Sequence, residues 1–536
     1  MDASLLGALV AAVLVAAVAR RSGVSAPLVL VVVGLAIGLI PDLPEITLQP
    51  DLVLFVLLPP LLWSAGLESS YISMRRNRRS IGLLAVGLPV ATTAAVGAVA
   101  YYTVPSFTLA AALTLGAIVA PPDAVAAAAV GRRLGLPRRI MTLLSGESLL
   151  NDATALTLYK VTLGATIGIA EGWGNGLATF ATAAAGGIAV GVVLGSAIVF
   201  IRARLTDPLM ESAIGLVAPF VIYLAAEQIN GSGVLAVVVA VLILGQRFTR
   251  AHYATRLQDR AVWRAMQLVL ESFAFLLIGL QLPTVVQNMH GVRFSTLTTA
   301  SLAVFGTVLV VRIVWVVTFA YLPRRLSARI REDEPAPTRG QVFILAWAGM
   351  RGVVSLAAAF GVPMTTMTGD RFPGRPQLVF LTFVVVIGTL LLHGLTLPWL
   401  IRRLGLDGGQ ARTDAMAAAA AQDRAARAAA DRLDEILATM KPSPTSERAA
   451  EALRGLTNRR RNAARERLRL ASLDPDADDD AGDESVAAVF RRLRLAMLAA
   501  EREAFIAERD EGHIDDQVLR TLLHGLDLEE ATLELG

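Results

Sequence analysis

The stretch Gly146-Glu147-Ser148-Leu149-Leu150-Asn151-Asp152 lies inside an apolar run, Ile140 to Leu163, long enough to cross a bilayer. A charge at the bilayer centre costs on the order of 3 kcal/mol on insertion scales, so two carboxylates and an amide at that depth mark function by default. Ser148 and Asp152 are four residues apart and share one helix face, while Glu147 and Asn151 share another. Two polar pairs on two faces imply two tasks, and the rest of the chain is constrained by what it offers each.

Hydrophobic residues make up 54% of the 536 positions, which places the chain among polytopic membrane proteins. It has no cysteine, which excludes disulfides, thiolate metal sites and cysteine nucleophiles. The net charge of +4 is small and its arginines are sorted by loop, so no nucleic-acid partner is expected. Hydropathy predicts about 13 transmembrane segments, at roughly 4–19, 27–40, 52–72, 80–101, 107–130, 140–163, 177–201, 211–229, 233–245, 264–285, 297–322, 340–360 and 376–401. Arginine crowds one set of alternate loops, from Arg20 and Arg21 through Arg138 and Arg139 to Arg402 and Arg403. The opposite loops hold only Arg293, Arg371 and Arg375. That bias puts the N-terminus outside and the C-terminus in the cytoplasm of a multi-pass protein of the cell inner membrane. The run Leu5 to Ala19 has only Asp2 ahead of it as a charge, so it reads as a retained first helix rather than a cleaved signal. Residues 405–536 change to Ala, Arg, Asp and Glu with apolar positions at helical spacing, split by the acidic run Asp474 to Glu484. They read as a cytoplasmic helical domain, either regulatory or a plain solvated tail.

Ala120-Pro121-Pro122-Asp123 interrupts an Ala/Val helix, and two successive prolines must open its ladder. Open backbone at membrane depth is tolerated where protein buries it or water lines it, and such breaks build ion sites in secondary transporters. Counting from the cytoplasmic ends at 1.5 Å per residue puts Asp123 roughly 12 Å deep, Asp152 roughly 20 Å and Arg351 roughly 18 Å. All three therefore approach the midplane of a core about 30 Å thick. Arg351, in Gly349-Met350-Arg351-Gly352, needs a carboxylate or freed carbonyls beside it. Glu147 is its expected partner, with Asn151 on the same face supporting a structural ion pair. Lys160 is expected to snorkel to the outer surface, and His393 to be a core histidine satisfied by a neighbour. A broken fifth segment and a broken twelfth, the fifth of the second half, point to two inverted repeats joined by segment seven.

These residues, taken in order, resemble the monovalent cation/proton antiporters of the Na⁺/H⁺ exchanger type, in the branch that carries Asn-Asp in place of two aspartates. The likeness covers about residues 1–404. It implies a cation-binding aspartate at Asp152, a broken-helix aspartate at Asp123, an ion-coordinating serine at Ser148 and a backbone carbonyl from Pro122. It also implies a structural pair of Glu147 and Arg351 supported by Asn151. The chain departs from the family twice. Asp-Pro is replaced by Pro122-Asp123-Ala124, and Ser64 in Leu58-Pro59-Pro60-Leu61-Leu62-Trp63-Ser64 stands where an acid is usual. Glu68, one turn on, is an alternative site residue at that place, and Glu271 matches a family acid of the tenth helix.

The resemblance implies an all-α transporter. Its core would comprise about 80–163 and 297–401, its dimerising scaffold about 4–72 and 211–285, and its linker helix about 177–201. It is expected to be a homodimer without a cofactor, exchanging Na⁺ (or K⁺/Li⁺) for H⁺ by alternating access. With Asn151 in place of a second acid, the exchange is expected to be electroneutral and one-for-one. The rival classes are a cation channel, for which no filter-like loop is visible, and an intramembrane hydrolase built on an aspartate dyad.

Overall fold

In the computed structural model of the chain, residues 3–22, 26–40, 52–69, 71–123, 131, 134–168, 173–205, 207–248, 253–287, 289, 293–326, 337–405, 409–439, 444, 447–455, 462, 486–511 and 516–535 are described. The chain divides into two compact units, Met1–Gly408 and Gly409–Gly536.

The first unit is helical. Its order is α1 (Ala3–Arg21), α2 (Ala26–Gly38), α3 (Leu58–Glu68), α4 (Tyr71–Arg76), α5 (Arg78–Thr103), α6 (Leu109–Val119), α7 (Arg138–Ile167) and α8 (Trp173–Arg202). There follow α9 (Pro208–Gln228), α10 (Gly233–Phe248), α11 (Tyr253–Gln287), α12 (Phe294–Leu326), α13 (Arg339–Trp347), α14 (Val353–Phe360) and α15 (Arg375–Arg403). Among the described residues no strand forms beyond a single antiparallel bridge between Thr365 and Arg371. Among the described residues, six helices are long and apolar enough to cross a membrane: those within α5, α8, α9, α11, α12 and α15. Shorter apolar helices accompany them at Ala26–Gly38, Phe55–Leu67, Leu109–Val119 and Gly233–Arg247.

Side-chain pattern explains the packing. α7 is buried nearly all round, with Leu144, Gly146, Glu147, Leu149, Asn151 and Ala153 enclosed, as befits a central helix. α1, by contrast, leaves Leu6, Val10, Leu14 and Val18 exposed at four-residue intervals, a stripe suited to lipid. α2 crosses α11 at glycines: a Cβ on Gly34 would lie 3.0 Å from the Cα of Gly279, so only small residues let these backbones touch. The tenth expected segment, 264–285, is longer as α11 because the helix also includes Arg256 and Arg260, ahead of the apolar window. The fifth, expected over 107–130, is α-helical only to Val119, where the prolines intervene; residues 124–130 lie outside the described set.

In the second unit, α16 (Gly409–Thr439) precedes a helical stretch at 447–455, and Arg454 reaches Asp434 at 2.6 Å. α17 (Val486–Asp510) and α18 (Asp516–Leu535) are laced by ion pairs. Arg494 holds Glu501 and Glu529, and Arg502 holds Asp527 and Glu530.

Candidate cation site

Two interrupted helices make the site. α6 starts at Thr108, whose hydroxyl accepts from Ala111 N, and stops at Val119 because Pro121 and Pro122 cannot continue its ladder. α13 opens on a capping box between Thr338 and Gln341 and ends at Trp347. The chain then runs unwound through Ala348–Gly352 before α14 restarts it. The breaks are tied together: Asp123 N donates to Met350 O at 2.7 Å.

Each freed helix end meets a charge of the complementary sign. Arg351 donates from Nε to Val119 O at 3.0 Å, from Nη2 to Ala120 O at 3.5 Å and from Nη1 to Gly349 O, so it caps the C-terminus of α6. Its backbone N–H is held by Thr389 Oγ1 at 3.0 Å. Arg312 donates from Nη2 to Leu345 O and Ala348 O, both at 3.1 Å, at the C-terminus of α13. Arg375 donates to Phe360 O at 3.2 Å and to Val362 O at 2.7 Å, at the C-terminus of α14. Asp123 lies at the other pole, against Gly352 at the N-terminus of α14: a Cβ on that glycine would sit 2.7 Å from the Asp123 Cβ. Cations at helix C-termini and an anion at an N-terminus match the macrodipoles.

The polar faces of α7 then divide as their spacing implies, with different partners. Glu147 is fully buried and pairs with Arg312, not Arg351: Nη1 donates to Oε1 at 2.5 Å and Nη2 to Oε2 at 3.1 Å. The expected Glu147–Arg351 pair is therefore corrected, because Arg351 is occupied by carbonyls and Arg312 of α12 supplies the fork. Asn151 does not support that pair either. Its Nδ2 donates to Pro122 O at 2.9 Å and fastens α7 to the first break. Sequence reasoning passed over Arg312, although an arginine within Val308-Leu309-Val310-Val311-Arg312-Ile313-Val314 is itself a signal of a buried anion.

The other face, Ser148 and Asp152, opens on a cavity of about 790 Å³. Asp123, Met350 and Gly352 line it from the breaks, Ser355 from α14, Leu58, Leu61, Leu62 and Ala65 from α3, and Glu271 and Ser272 from α11. Arg20 and Arg402 also border it. Asp152, Asp123, Ser148 and Glu271 are thus brought to one space. Pro121 lines the cavity and Pro122 does not; the Pro122 carbonyl, expected to face the ion, accepts a hydrogen bond from Asn151. Ser64 is off the wall as well, only 3% exposed, and its hydroxyl donates to Gln267 Oε1 at 3.0 Å. The Glu68 side chain lies outside the described residues. Lys160, expected to snorkel to the outer surface, is half-exposed and pairs with Glu227 of α9 at 2.7 Å. His393 is buried with its ring edge-on to Trp347 at 5.3 Å, and its Nδ1 finds no hydrogen-bond partner, contrary to the expectation that a neighbour satisfies it. Among the described residues no group of three or more His, Cys, Asp and Glu is placed to hold a metal ion.

Comparison with known proteins agrees with this architecture. The family described as "Sodium/hydrogen exchanger, transmembrane" matches residues 8–403. An uncharacterized Na⁺/H⁺ exchanger of Mycobacterium tuberculosis is 34% identical over 98% of this chain and 95% of its own length. A sodium, potassium, lithium and rubidium/H⁺ antiporter of Bacillus pumilus is 32% identical over 70% of this chain and 57% of its own. Among solved structures, the sodium proton antiporter MjNhaP1 of Methanocaldococcus jannaschii shares the fold with a TM-score of 0.60. That match has 18% identity and covers 74% of this chain and 96% of the other.

Proposed function

Since the chain belongs to the sodium/hydrogen exchanger family, whose members are secondary cation/proton antiporters and not enzymes, we propose that it exchanges Na⁺ for H⁺ at Asp152 by alternating access. The observation that carries this reading is the position of Asp152: on the wall of a cavity, beside Asp123 and two tied helix breaks, with Ser148 one turn away. A carboxylate removed from bulk water favours its protonated form, and a cation arriving beside it favours the ionised form. Proton and cation then exclude one another at one group, and that exclusion is the coupling. Ser148 offers a hydroxyl oxygen to the dehydrating ion. Asp123 supplies a second negative charge, anchored through its own backbone to the opposite break. The Glu147–Arg312 pair and the three capping arginines hold the breaks open without drawing on the site's charge.

Asn151 engages the Pro122 carbonyl as an amide and brings no second acid to the site. One exchanging charge, that of Asp152, then serves each half-cycle, which gives electroneutral one-for-one exchange. The chain works in the cell inner membrane as a homodimer, with its N-terminus outside and residues 405–536 a cytoplasmic regulatory domain. About 80–163 and 297–401 form the moving core against a scaffold of about 4–72 and 211–285. The name of the Bacillus pumilus relative favours a second reading of selectivity, in which K⁺ and Li⁺ are also carried. Cation-driven dissipation of ΔpH in everted vesicles, with Na⁺, K⁺ and Li⁺ in turn, tests the function and ranks the ions. A valinomycin-clamped membrane potential that alters the driving force would overturn the electroneutral stoichiometry.

A further inference from the structure

The central helix α7 has an open half and a closed half. It begins at Arg138, and the cavity touches it at Ser148, Leu149 and Asp152, with Leu134 ahead of the helix and Arg20 and Arg402 also at the border. Beyond Asp152 the helix is packed: Leu156, Tyr159 and Thr162 are buried. Lys160 stands in that closed half, eight residues past Asp152, about 12 Å further along the axis.

There α7 is held from two directions. Met367 N, in the loop between α14 and α15, donates to Ile167 O at 3.1 Å, a backbone bond that joins α7 to the helices of the second break. Lys160 Nζ donates to Glu227 Oε1 at 2.9 Å and to Oε2 at 2.7 Å, which joins α7 to α9. The Glu227 end is fixed. Its Oε1 also accepts from Gly233 N at 3.1 Å, where α10 starts, and the adjacent Ser232 N donates to Ala183 O of α8 at 2.8 Å. The Lys160 end is a point charge on a flexible stem. The side chains are 52% and 32% exposed, so salt screens the pair and it is worth up to about a fivefold change in an equilibrium. A contact that must break in every cycle has to be weak. An exposed pair meets that need, and a buried one such as Glu147–Arg312 does not.

We infer that Lys160 and Glu227 form a latch that holds the closed half of α7 on α9 while the cavity stands open on its arginine-bordered side, and that opens each time Asp152 turns to the outside. The inference rests on the antiport reading and on the orientation and moving core proposed with it. It goes beyond them by naming the contact between core and scaffold that sets how often the outward state is reached. A state favoured fivefold less binds its ion fivefold more weakly in apparent terms, so the latch is read in the affinity seen from each side.

The chain has no native cysteine, so Lys160→Cys with Glu227→Cys can be cross-linked with no other position changed. In the full-length double variant in proteoliposomes, a bis-methanethiosulfonate with a spacer the length of the lost pair is expected to arrest Na⁺-driven ΔpH dissipation, and dithiothreitol to restore it. Each single-cysteine variant, treated alike, keeps its rate. In detergent the linked protein still releases protons when Na⁺ binds, because the cavity stays open. Without any linker, Lys160→Met and Glu227→Gln each lower the KM for Na⁺ presented on the outer side by up to about fivefold and leave the inner KM equal or higher. The variant carrying both changes goes no further than either alone, since one contact is lost in each case. Full transport by the linked protein overturns the latch, as does arrest accompanied by loss of Na⁺-driven proton release. If the cysteine variants do not yield monodisperse protein, Lys160→Met and Glu227→Gln decide, and an unchanged outer KM in both overturns it. Absence of antiport in the unmodified chain would overturn the functional reading and the latch with it, whereas antiport that survives the cross-link overturns the latch alone.

Discussion

Arg312→Met tests how the core is held. The guanidinium makes two buried, charge-assisted bonds to Glu147 and one each to Leu345 O, part-buried, and Ala348 O, buried. Removing it leaves a buried carboxylate without its counter-charge, which costs about 3–5 kcal/mol where such pairs have been broken. Glu147→Gln is milder, because Arg312 keeps its two carbonyls. The double variant removes both charges, and its loss is smaller than the sum of the single losses by about 2 kcal/mol, within the usual range for partners in contact. The matching cycle of Glu147 with Arg351 gives less than about 1 kcal/mol of coupling, since Arg351 is spent on Val119, Ala120 and Gly349. Unfolding followed by circular dichroism in mixed detergent–SDS micelles measures both cycles. Strong coupling between Glu147 and Arg351, with additivity between Glu147 and Arg312, would refute the assignment.

Three further outcomes follow from the geometry. Gly352→Ala places a Cβ 2.7 Å from the Asp123 Cβ and must displace that carboxylate, so Na⁺ affinity in the vesicle assay falls about tenfold or more, an energy of overpacking's usual size. Lys160→Met changes stability by no more than about 1 kcal/mol, and less at high salt, because the Lys160–Glu227 pair is 52% and 32% exposed at its two side chains. Glu529 titrates below the usual carboxylate range because Arg494 donates to both of its oxygens, at 2.7 and 2.9 Å. A group whose folded pKa is depressed stabilises above its unfolded value, so this contribution holds above about pH 4.3 and is lost as pH falls below it. Carboxyl-resolved NMR of Glu529 should show the low value, and Arg494→Gln should return it to normal.

Much of the site is written locally. GESLLND inside an apolar run, with face-sharing at four-residue intervals, identifies Asp152 and Ser148 as one pair and Glu147 and Asn151 as another. Pro121-Pro122 ends α6 wherever it is placed, because proline lacks the N–H the ladder requires. The identity of the partners is another matter. Depth counted along a helix axis fixes height in the membrane but not lateral position, so Arg351 and Arg312 cannot be separated as partners for Glu147 by that measure. Arg351 turned to carbonyls instead, a choice made by the way two breaks cross, which is a tertiary fact. Ser64 illustrates the same limit: its place on α3 is legible, whereas its bond to Gln267 spans 203 positions and depends on how α3 packs on α11.

The competition between proton and cation at one carboxylate is measured most directly by proton release when Na⁺ binds to the purified protein. Calorimetric titrations in buffers of different ionisation enthalpy count those protons. The account requires about one proton released per Na⁺ bound, and no release in Asp152→Asn. Undiminished proton release from Asp152→Asn would contradict it.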